Sequence, residues 1–194
     1  MRKTSFEILH CTQCGAPTRY QTPAGDSRER AICTRCEKIH YQNPHVVVGA
    51  VVHHQAGFVL CRRAIEPRSG FWTIPAGYLE LEESTEEGAC REAYEEAQTD
   101  LHIERLLAIY NLSHLSQVQI LYLARLKGEH FSPGPESLEV AHFTWDEIPW
   151  DELAFPSVRW ALLHARRHLQ GETEMPELRA ESLVLDPKLL FKKE

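Results

Sequence analysis

The chain has 194 residues, of which 43% are hydrophobic and 25% are charged, a composition typical of one globular core with a small appendage. No apolar run approaches the ~20 residues that span a bilayer, and the first residues lack the apolar segment of a secretory signal. We therefore expect a cytoplasmic protein without a membrane partner. The net charge of −7 argues weakly against broad nucleic-acid binding.

Two cysteine pairs stand out in the N-terminal part of the chain. Cys11 and Cys14 form one pair, Cys33 and Cys36 form the other, and 18 residues separate them. In a chain without an export signal, this spacing indicates a metal site rather than disulfides. Four thiolates complete a tetrahedral structural zinc site, and iron in a rubredoxin-like site is the alternative because it uses the same ligands. We predict a zinc ribbon over residues 1–43.

Residues 44–170 carry apolar and β-branched runs of strand length and end in a segment with helical spacing. The predicted strands are 45–54, 57–63, 106–112, 117–126 and 139–145, and the predicted closing helix is 157–169. The first two strands should form a hairpin, and the third and fourth should pair through the turn at 113–116. These elements predict an α+β domain with a mixed sheet. Residues 171–194 form a C-terminal tail without a motif that we can interpret.

Between the second and third of these strands lies a glutamate-rich segment, GYLELEESTEEGACREAYEEAQ at 77–98. Ser84 and Glu87 have the spacing of a capping box, which predicts a helix from Thr85 to Ala97. Its apolar stripe is predicted to comprise Ala89, Cys90, Ala93, Tyr94 and Ala97.

Three carboxylates of this helix fall outside the apolar stripe. Glu92, Glu95 and Glu96 lie within an arc of about 100° on an ideal helix. Exposed glutamate-rich helices are common, but clustered carboxylate oxygens are also what hard cations such as Mg²⁺ bind. From helix geometry alone, a solvated face and a cation site both remain open.

The longer pattern Gly77-x5-Glu83-x7-Arg91-Glu92-x2-Glu95-Glu96 resembles the signature of the Nudix hydrolases. The preceding GFWTIPAGYLE also resembles the strand and loop that lead into the helix of that family. This resemblance implies a mixed-sheet α/β/α sandwich and hydrolysis of a pyrophosphate bond with Mg²⁺ or Mn²⁺. It implies that Glu92 and Glu96 are the main metal ligands, with Glu95 a further ligand or acting through water. The backbone carbonyl of Gly77 would complete the coordination sphere.

The resemblance also implies roles for residues around the metal. Glu83 is expected to pair with Arg91 and fix the loop against the helix rather than bind metal directly. A general base is expected from a later segment, with Glu136 and Glu139 as alternatives and Glu139 favoured. One residue departs from the family pattern, because Gln98 stands where the family has a helix-ending glycine. A left-handed Gln98 would cost roughly 1 kcal/mol.

A ribbon joined to such a domain is similar to two groups of the family. One group is the NADH pyrophosphatases, whose SQPWPFP-type motif after the helix has no counterpart in residues 99–131. The other includes the plant plastid FAD and ADP-ribose pyrophosphatases, and that likeness covers most of residues 8–157. It implies a small dinucleotide or nucleotide-sugar substrate, FAD or ADP-ribose, split into AMP and a second phosphate. Candidate ring-stacking residues are Phe71, Trp72, Tyr78 and Tyr110.

Functions of a different class remain as alternatives. Residues 1–40 are net basic, so an RNA-cap pyrophosphatase, or a nucleic-acid-binding ribbon beside an inactive site, is conceivable from the sequence. The intact Arg91-Glu92-x2-Glu95-Glu96 motif argues against an inactive site. The acidic chain has no basic stripe outside the ribbon, which makes nucleic acid the less favoured partner. The oligomeric state stays open, with a homodimer among the alternatives.

Overall fold

A computed structural model describes residues 7–173 and 175–181 of the chain. These residues divide between Asn43 and Pro44 into two compact units. Most of the predicted tail therefore lies outside the described residues.

The N-terminal unit contains one small antiparallel sheet. Its strands are β1 (Thr18–Gln21), β2 (Arg30–Cys33) and β3 (Ile39–His40), in that order. The buried cluster beside the sheet comprises Cys11, Ala16 and Cys33. So small a cluster removes little apolar surface from water, so the unit depends on a further stabilising element such as a bound metal.

The second unit is built on one mixed sheet and two helices. Its elements are β4 (His45–His54), β5 (Gly57–Arg63), β6 (Trp72–Thr73), β7 (Ala76–Tyr78), α1 (Thr85–Ala97), β8 (Leu101–Leu112), β9 (Gln117–Leu126), β10 (Ser137–Thr144), α2 (Pro156–Leu169) and β11 (Glu177–Glu181). Short 3-10 helices cover Ser113–Leu115, Trp145–Glu147 and Trp150–Glu152. The sheet order is β10-β5-β4-β9-β8-β11, with β6 paired to β5 and β7 paired to β4. β4 with β9 and β8 with β11 are parallel, and the other pairs are antiparallel.

The two helices cover opposite faces of the sheet, and strand β4 shows why. Val51 packs in the cluster that contains Val158 and Leu162 of α2. Its neighbours along the strand, Ala50 and Val52, pack in a separate cluster with α1. Because successive side chains of a strand point to opposite faces, this alternation places one helix on each side. The predicted α/β/α sandwich is confirmed.

Most predicted elements are present, but three begin earlier than predicted and one strand was missed. The hairpin of β4 and β5, strand β9, helix α1 and the β8–β9 pairing are confirmed. Strand β8 begins five residues before the predicted Leu106, strand β10 begins two residues before the predicted Glu139, and α2 begins one residue before Ser157. Strand β11 was missed, because its sequence ELRAE has no apolar run of strand length.

Candidate active site

Helix α1 begins and ends by side-chain hydrogen bonds of its own sequence. At its start, the Ser84 hydroxyl accepts from the Glu87 N–H, and the Glu87 carboxylate accepts from the Ser84 N–H, so the capping box is confirmed. At its end, Gln98 adopts the left-handed conformation with φ 49° and ψ 42°. The backbone N–H and the side-chain amide of Gln98 both donate to the Tyr94 carbonyl. This second bond offsets part of the cost of a non-glycine residue there.

The three carboxylates of α1 differ sharply in their exposure. Glu92 and Glu96 are buried, with 8% and 7% of their surface accessible. Glu95 is more exposed, with 55% of its side chain accessible. A solvated helix face would leave all three carboxylates in water. The burial of Glu92 and Glu96 therefore does not fit that alternative.

Arg91 joins the carboxylates to the preceding loop. Its Nε and Nη2 atoms donate to Glu83 at 3.0 Å and 2.9 Å. Its Nη1 atom donates to Glu92 at 2.8 Å and to Glu95 at 3.0 Å. Nη2 also donates to the Tyr78 carbonyl at 3.0 Å. One guanidinium thus ties the loop backbone to the helix and separates two acidic groups that would otherwise repel.

Burial and hydrogen bonding shift the pKa values of these carboxylates in opposite directions. Burial raises the pKa of Glu96 to about 8, although the N–H of Ala76 donates to its Oε2 atom at 3.1 Å and works against that rise. Burial also raises the pKa of Glu92, with Arg91 opposing. The hydrogen bonds from Arg91 lower the pKa of Glu83 to about 2. The protein thus holds two carboxylates in a setting that disfavours their negative charge, which a bound cation would favour.

Two glycines allow the backbone to approach this cluster closely. A Cβ atom at Gly77 would overlap the carboxylate of Glu92. A Cβ atom at Gly134 would overlap the carbonyl oxygen of Glu95, because the loop of residues 131–136 packs on the end of α1. That loop is held by the N–H of Gly134, which donates to the Glu96 carbonyl at 3.1 Å. Gly134 was missed from the sequence, where only its place between two prolines marks it as a turn.

The same loop brings Glu136 to the carboxylates and leaves Glu139 away from them. Glu136 lines the cavity beside α1, and its charge contributes to the raised pKa of both Glu92 and Glu96. Glu139 instead faces Arg62 at 3.6 Å and is not among the described residues that line the cavity. A register shift in β10 between Ser137 and Glu139 re-aims the strand at this point. In this geometry Glu136, rather than the favoured Glu139, lies beside the carboxylates.

These groups open into a cavity of about 1340 Å³. It is lined by acidic residues at α1, by the loop of residues 65–68, and by residues of β9 and α2. Its volume exceeds the roughly 300–1,000 Å³ that is typical of small-molecule sites. The cavity therefore has room for a ligand with two bulky ends.

Of the four candidate ring-stacking residues, only Tyr78 lines this cavity. Trp72 is buried against Phe143, with ring centroids 4.9 Å apart. Tyr110 is fully buried and its hydroxyl is bonded to His164. Phe71 lies under the Arg68 guanidinium. The stacking role was wrong for Trp72 and Tyr110, because they pack within the fold, and the half-buried Phe71 does not line the cavity among the described residues.

Tyr94 of α1 also differs from its predicted place. It was assigned to the apolar stripe, yet 56% of its surface is exposed and it lines the cavity. The stripe itself is correct for Ala89, Ala93 and Ala97, which are fully buried.

In the N-terminal unit, the four cysteines converge on one point. The sulfur atoms of Cys11, Cys14, Cys33 and Cys36 all lie within 4.8 Å of one another. Three of the S···S distances are 3.4, 3.6 and 3.7 Å, and tetrahedral zinc with bonds of about 2.3 Å needs about 3.8 Å. Backbone N–H groups also point at the sulfurs, and those of Cys36 and Arg35 lower the pKa of the Cys33 thiol to about 6. The cluster is consistent with a zinc ribbon.

Comparison with known families agrees with this architecture. Residues 10–42 match the family model described as Nudix N-terminal, a zinc ribbon, and residues 43–163 match the NUDIX domain. The chain therefore belongs to the Nudix family and is a Nudix hydrolase with an N-terminal zinc ribbon. No helix among the described residues is long and apolar enough to cross a bilayer.

Individual relatives show the same family likeness. A crystal structure of a NUDIX hydrolase from Nitrosomonas europaea is 41% identical, with a TM-score of 0.83, and covers 90% of this chain and 99% of that one. The ADP-ribose pyrophosphatase of Methanocaldococcus jannaschii is 25% identical over 59% of this chain and 69% of its own length. The NAD-capped RNA hydrolase NudC of Stutzerimonas stutzeri is 30% identical over 72% of this chain and 49% of its own length. The chain spans about half to two thirds of the length of several curated relatives.

Proposed function

We propose that this protein hydrolyses the pyrophosphate bond of an adenosine diphosphate linked to a second group, with ADP-ribose or FAD as substrate. The products would be AMP and the phosphate of that group. The observation that carries the proposal is the buried pair Glu92 and Glu96, held beside Arg91 at one side of a cavity large enough for both halves of such a molecule. The ADP-ribose pyrophosphatase among the relatives supports the choice of substrate class.

The carboxylates suit a divalent cation, Mg²⁺ or Mn²⁺, by their chemistry. They are hard oxygen donors, and burial makes their negative charge unfavourable without a counter-ion. Among the described residues, the four cysteines are the one group of three or more candidate ligands that converges on a point, so we assign the glutamates by their chemistry and burial. We assign the ligands as Glu92 and Glu96, with Glu95 and the carbonyl of Gly77 completing the set. The cation would neutralise the diphosphate charge and activate a water molecule.

The remaining roles belong to side chains of the chain itself. Arg91 positions Glu92 and Glu95 by direct hydrogen bonds and is itself held by Glu83. Glu136 lines the cavity near both buried carboxylates, and we assign it as the group that removes a proton from the attacking water. Residues 44–170 would carry this activity, and residues 1–43 would be a structural ribbon that holds zinc.

The second candidate function is hydrolysis of NADH or NAD-capped RNA, which the names of two relatives suggest. Relatives named NAD-capped RNA hydrolase make NADH and NAD-capped RNA alternatives that share the same bond chemistry. The net charge of −7 favours a small substrate over RNA.

A substrate panel tests the proposal. ADP-ribose, FAD, NADH and NAD-capped RNA are each incubated with purified protein with and without Mg²⁺, and the products are separated by chromatography. The proposal expects AMP from ADP-ribose or FAD only when Mg²⁺ is present. Glu96→Gln is the inactive reference, and the exposed Glu86→Gln is the matched control. Cleavage of RNA alone would refute the small-substrate assignment, and cleavage of none of the four would refute the whole proposal.

A further inference from the structure

One row of residues crosses the sheet from the carboxylates to the C-terminal strand. Tyr78 pairs with Val47, Val47 with Gln119, Gln119 with Tyr110, and Tyr110 with Arg179. Directly paired residues share a face of the sheet, and this cross-sheet row lies on the α2 face, where Tyr110 packs against α2. The row therefore connects β7, which touches the buried glutamates, to β11, which lies beyond the matched NUDIX domain.

The spacing of the strands gives the distance across the sheet from β7 to Gln119. Neighbouring strands lie about 4.8 Å apart, so Gln119 of β9 is roughly 10 Å from β7 across the sheet. Gly77 of β7 is the residue whose backbone approaches Glu92. Gln119 therefore lies away from the carboxylates but in the same cavity, at the distance of the far end of a bound molecule whose diphosphate is at α1.

Two side-chain amides lie together at this far end. Gln117 and Gln119 are two residues apart on β9, so they project from one face, and both line the cavity. Both are half-buried, and neither side-chain amide has a hydrogen-bond partner within residues 7–173 and 175–181. Because both residues line the cavity and their amides are not engaged within the described residues, these amides are available to a ligand bound there. Each amide offers one donor group and one acceptor, the pattern that the edge of a heterocyclic ring complements.

An aromatic wall stands beside these amides. Trp160 of α2 lines the cavity, and its ring meets Tyr110 edge-on with centroids 5.6 Å apart. The guanidinium of Arg179 lies over Trp160 at 4.5 Å from the ring centroid. The indole is thus held from two sides, by β8 and by β11, while part of it still borders the cavity. A ring that is held in place loses little freedom when a ligand packs against it.

We propose that Gln117, Gln119 and Trp160 form a subsite for a planar heterocyclic ring with hydrogen-bonding edges, and that Arg179 positions Trp160 for it. This inference rests on the proposed function and names the part of the cavity that binds a ring of the substrate. Two rings of the proposed substrates have the required chemistry, the adenine of ADP-ribose and the isoalloxazine of FAD. Strand β11 thereby contributes to ring binding, because its Arg179 lies over Trp160.

Binding of uncharged probes tests the subsite apart from catalysis. Adenosine is titrated by calorimetry and riboflavin by its own fluorescence, against wild type, Gln119→Leu and Trp160→Leu. We expect at least one probe to bind, and both variants to raise its dissociation constant by about tenfold or more. Adenosine binding alone assigns the subsite to adenine, and riboflavin binding alone assigns it to isoalloxazine. Trp145→Leu is the control, because Trp145 packs edge-on against Trp150 and does not line the cavity among the described residues.

Binding of neither probe at millimolar concentration would overturn the subsite, and so would equal affinity in wild type and both folded variants. Folding of each variant is checked by circular dichroism and thermal unfolding. If a probe binds as expected but none of the pyrophosphate substrates is cleaved, the proposed function fails while the subsite stands. If a substrate is cleaved but neither probe binds, the subsite fails while the proposed function stands.

Arg179 has a test of its own. Arg179→Met should raise KM for the preferred substrate several-fold with a much smaller change in kcat, and Arg179→Lys should recover part of the loss because it keeps a cation over the ring. Arg166→Met removes a similar stacked guanidinium, 4.2 Å from the Trp145 ring centroid and away from the cavity. An equal effect of Arg166→Met, or a loss confined to kcat, would show that Arg179 does not act through Trp160.

Discussion

The backbone at Gly77 lies so close to Glu92 that a Cβ atom there would overlap the carboxylate. Glu92 cannot retreat freely, because Arg91 holds its Oε1 atom at 2.8 Å. A methyl group at residue 77 must therefore displace either the strand or the carboxylate. Glycine is therefore needed at residue 77 because of its close contact with Glu92 and not because of its backbone conformation.

Gly77→Ala should lower turnover by about tenfold or more while leaving most of the folding stability intact, because the displaced group is a metal ligand in our assignment. Steady-state kinetics on the preferred substrate measure the loss. Combining it with Glu92→Gln gives a sharper test, since two changes acting through one carboxylate are not additive. A double variant that shows the full product of both losses would contradict this coupling.

Glu96→Gln should retain less than about a tenth of wild-type turnover, because it removes an assigned cation ligand without changing the shape of the side chain. The neutral amide also replaces a carboxyl group whose charged form is disfavoured by burial, so the variant should be at least as stable as wild type without added cation. Turnover and thermal unfolding are measured together, with Glu86→Gln as the control for a lost surface charge. Wild-type turnover in Glu96→Gln would refute the ligand assignment.

The cysteine cluster should hold a single zinc ion per chain, because four thiolates at this spacing suit tetrahedral zinc. Elemental analysis of the purified protein measures it. Cys33→Ser should lose the zinc and disorder the N-terminal unit, which limited proteolysis detects, while α1 keeps its own packing. Cys90→Ser lies outside the cluster and should keep zinc at the wild-type level. Iron, or no metal at all, would overturn the zinc assignment.

ADP-ribose or FAD should be a better substrate than NADH. We expect the part of the substrate beyond AMP to be recognised outside the signature helix, and residues 99–131 lack the motif of the NADH pyrophosphatases. Each tenfold preference corresponds to about 1.4 kcal/mol of transition-state binding, so a real preference is easily measured. The ratio of kcat/KM values at neutral pH with millimolar Mg²⁺ gives the answer. NADH preferred by about tenfold or more would place the chain in the other group.

His164 should make the protein less stable as the pH falls below its ordinary pKa of 6.5. Burial lowers the pKa of His164, and nearby Arg179, Arg167 and His168 lower it further, although Glu177 opposes them. Below about pH 6.5 the unfolded chain then binds a proton that the folded protein disfavours. Stability is therefore lost progressively between pH 6.5 and the lower pKa of the folded state.

Thermal unfolding at about pH 7.5 and about pH 5.5 measures this effect. Wild type should lose more stability between the two conditions than His164→Gln, whose side chain does not titrate. The exposed His102→Gln should lose as much as wild type. An identical loss in wild type and His164→Gln would show that this histidine does not contribute to the acid sensitivity.

Local features of the chain were predictable because their causes are local. The capping box at Ser84 and Glu87 and the spacing of Glu92 and Glu96 depend on contacts within one helical turn or a few residues. The four cysteines need only the spacing of two turns. The β-branched run of β4 and the turn that follows it predicted the β4–β5 hairpin for the same reason.

Long-range contacts decided the rest. Glu136 rather than Glu139 lies beside the carboxylates of α1. This placement depends on the loop that packs Gly134 on α1 and on the irregular pairing of β10 with β5 between Ser137 and Glu139. The burial of Trp72 and Tyr110 depends on the helix and strands that cover them.

The same holds for the far end of the cavity. Gln119 and Arg179 are 60 residues apart in sequence and share one row only because β11 pairs in parallel with β8. The sequence ELRAE has no pattern typical of a strand. Strand β11 is instead stabilised by its pairing with β8 and by the contact of Arg179 with Trp160. The amino-acid sequence by itself therefore determined the carboxylate helix and the cysteine cluster, whereas only the tertiary structure determined which residues surround them.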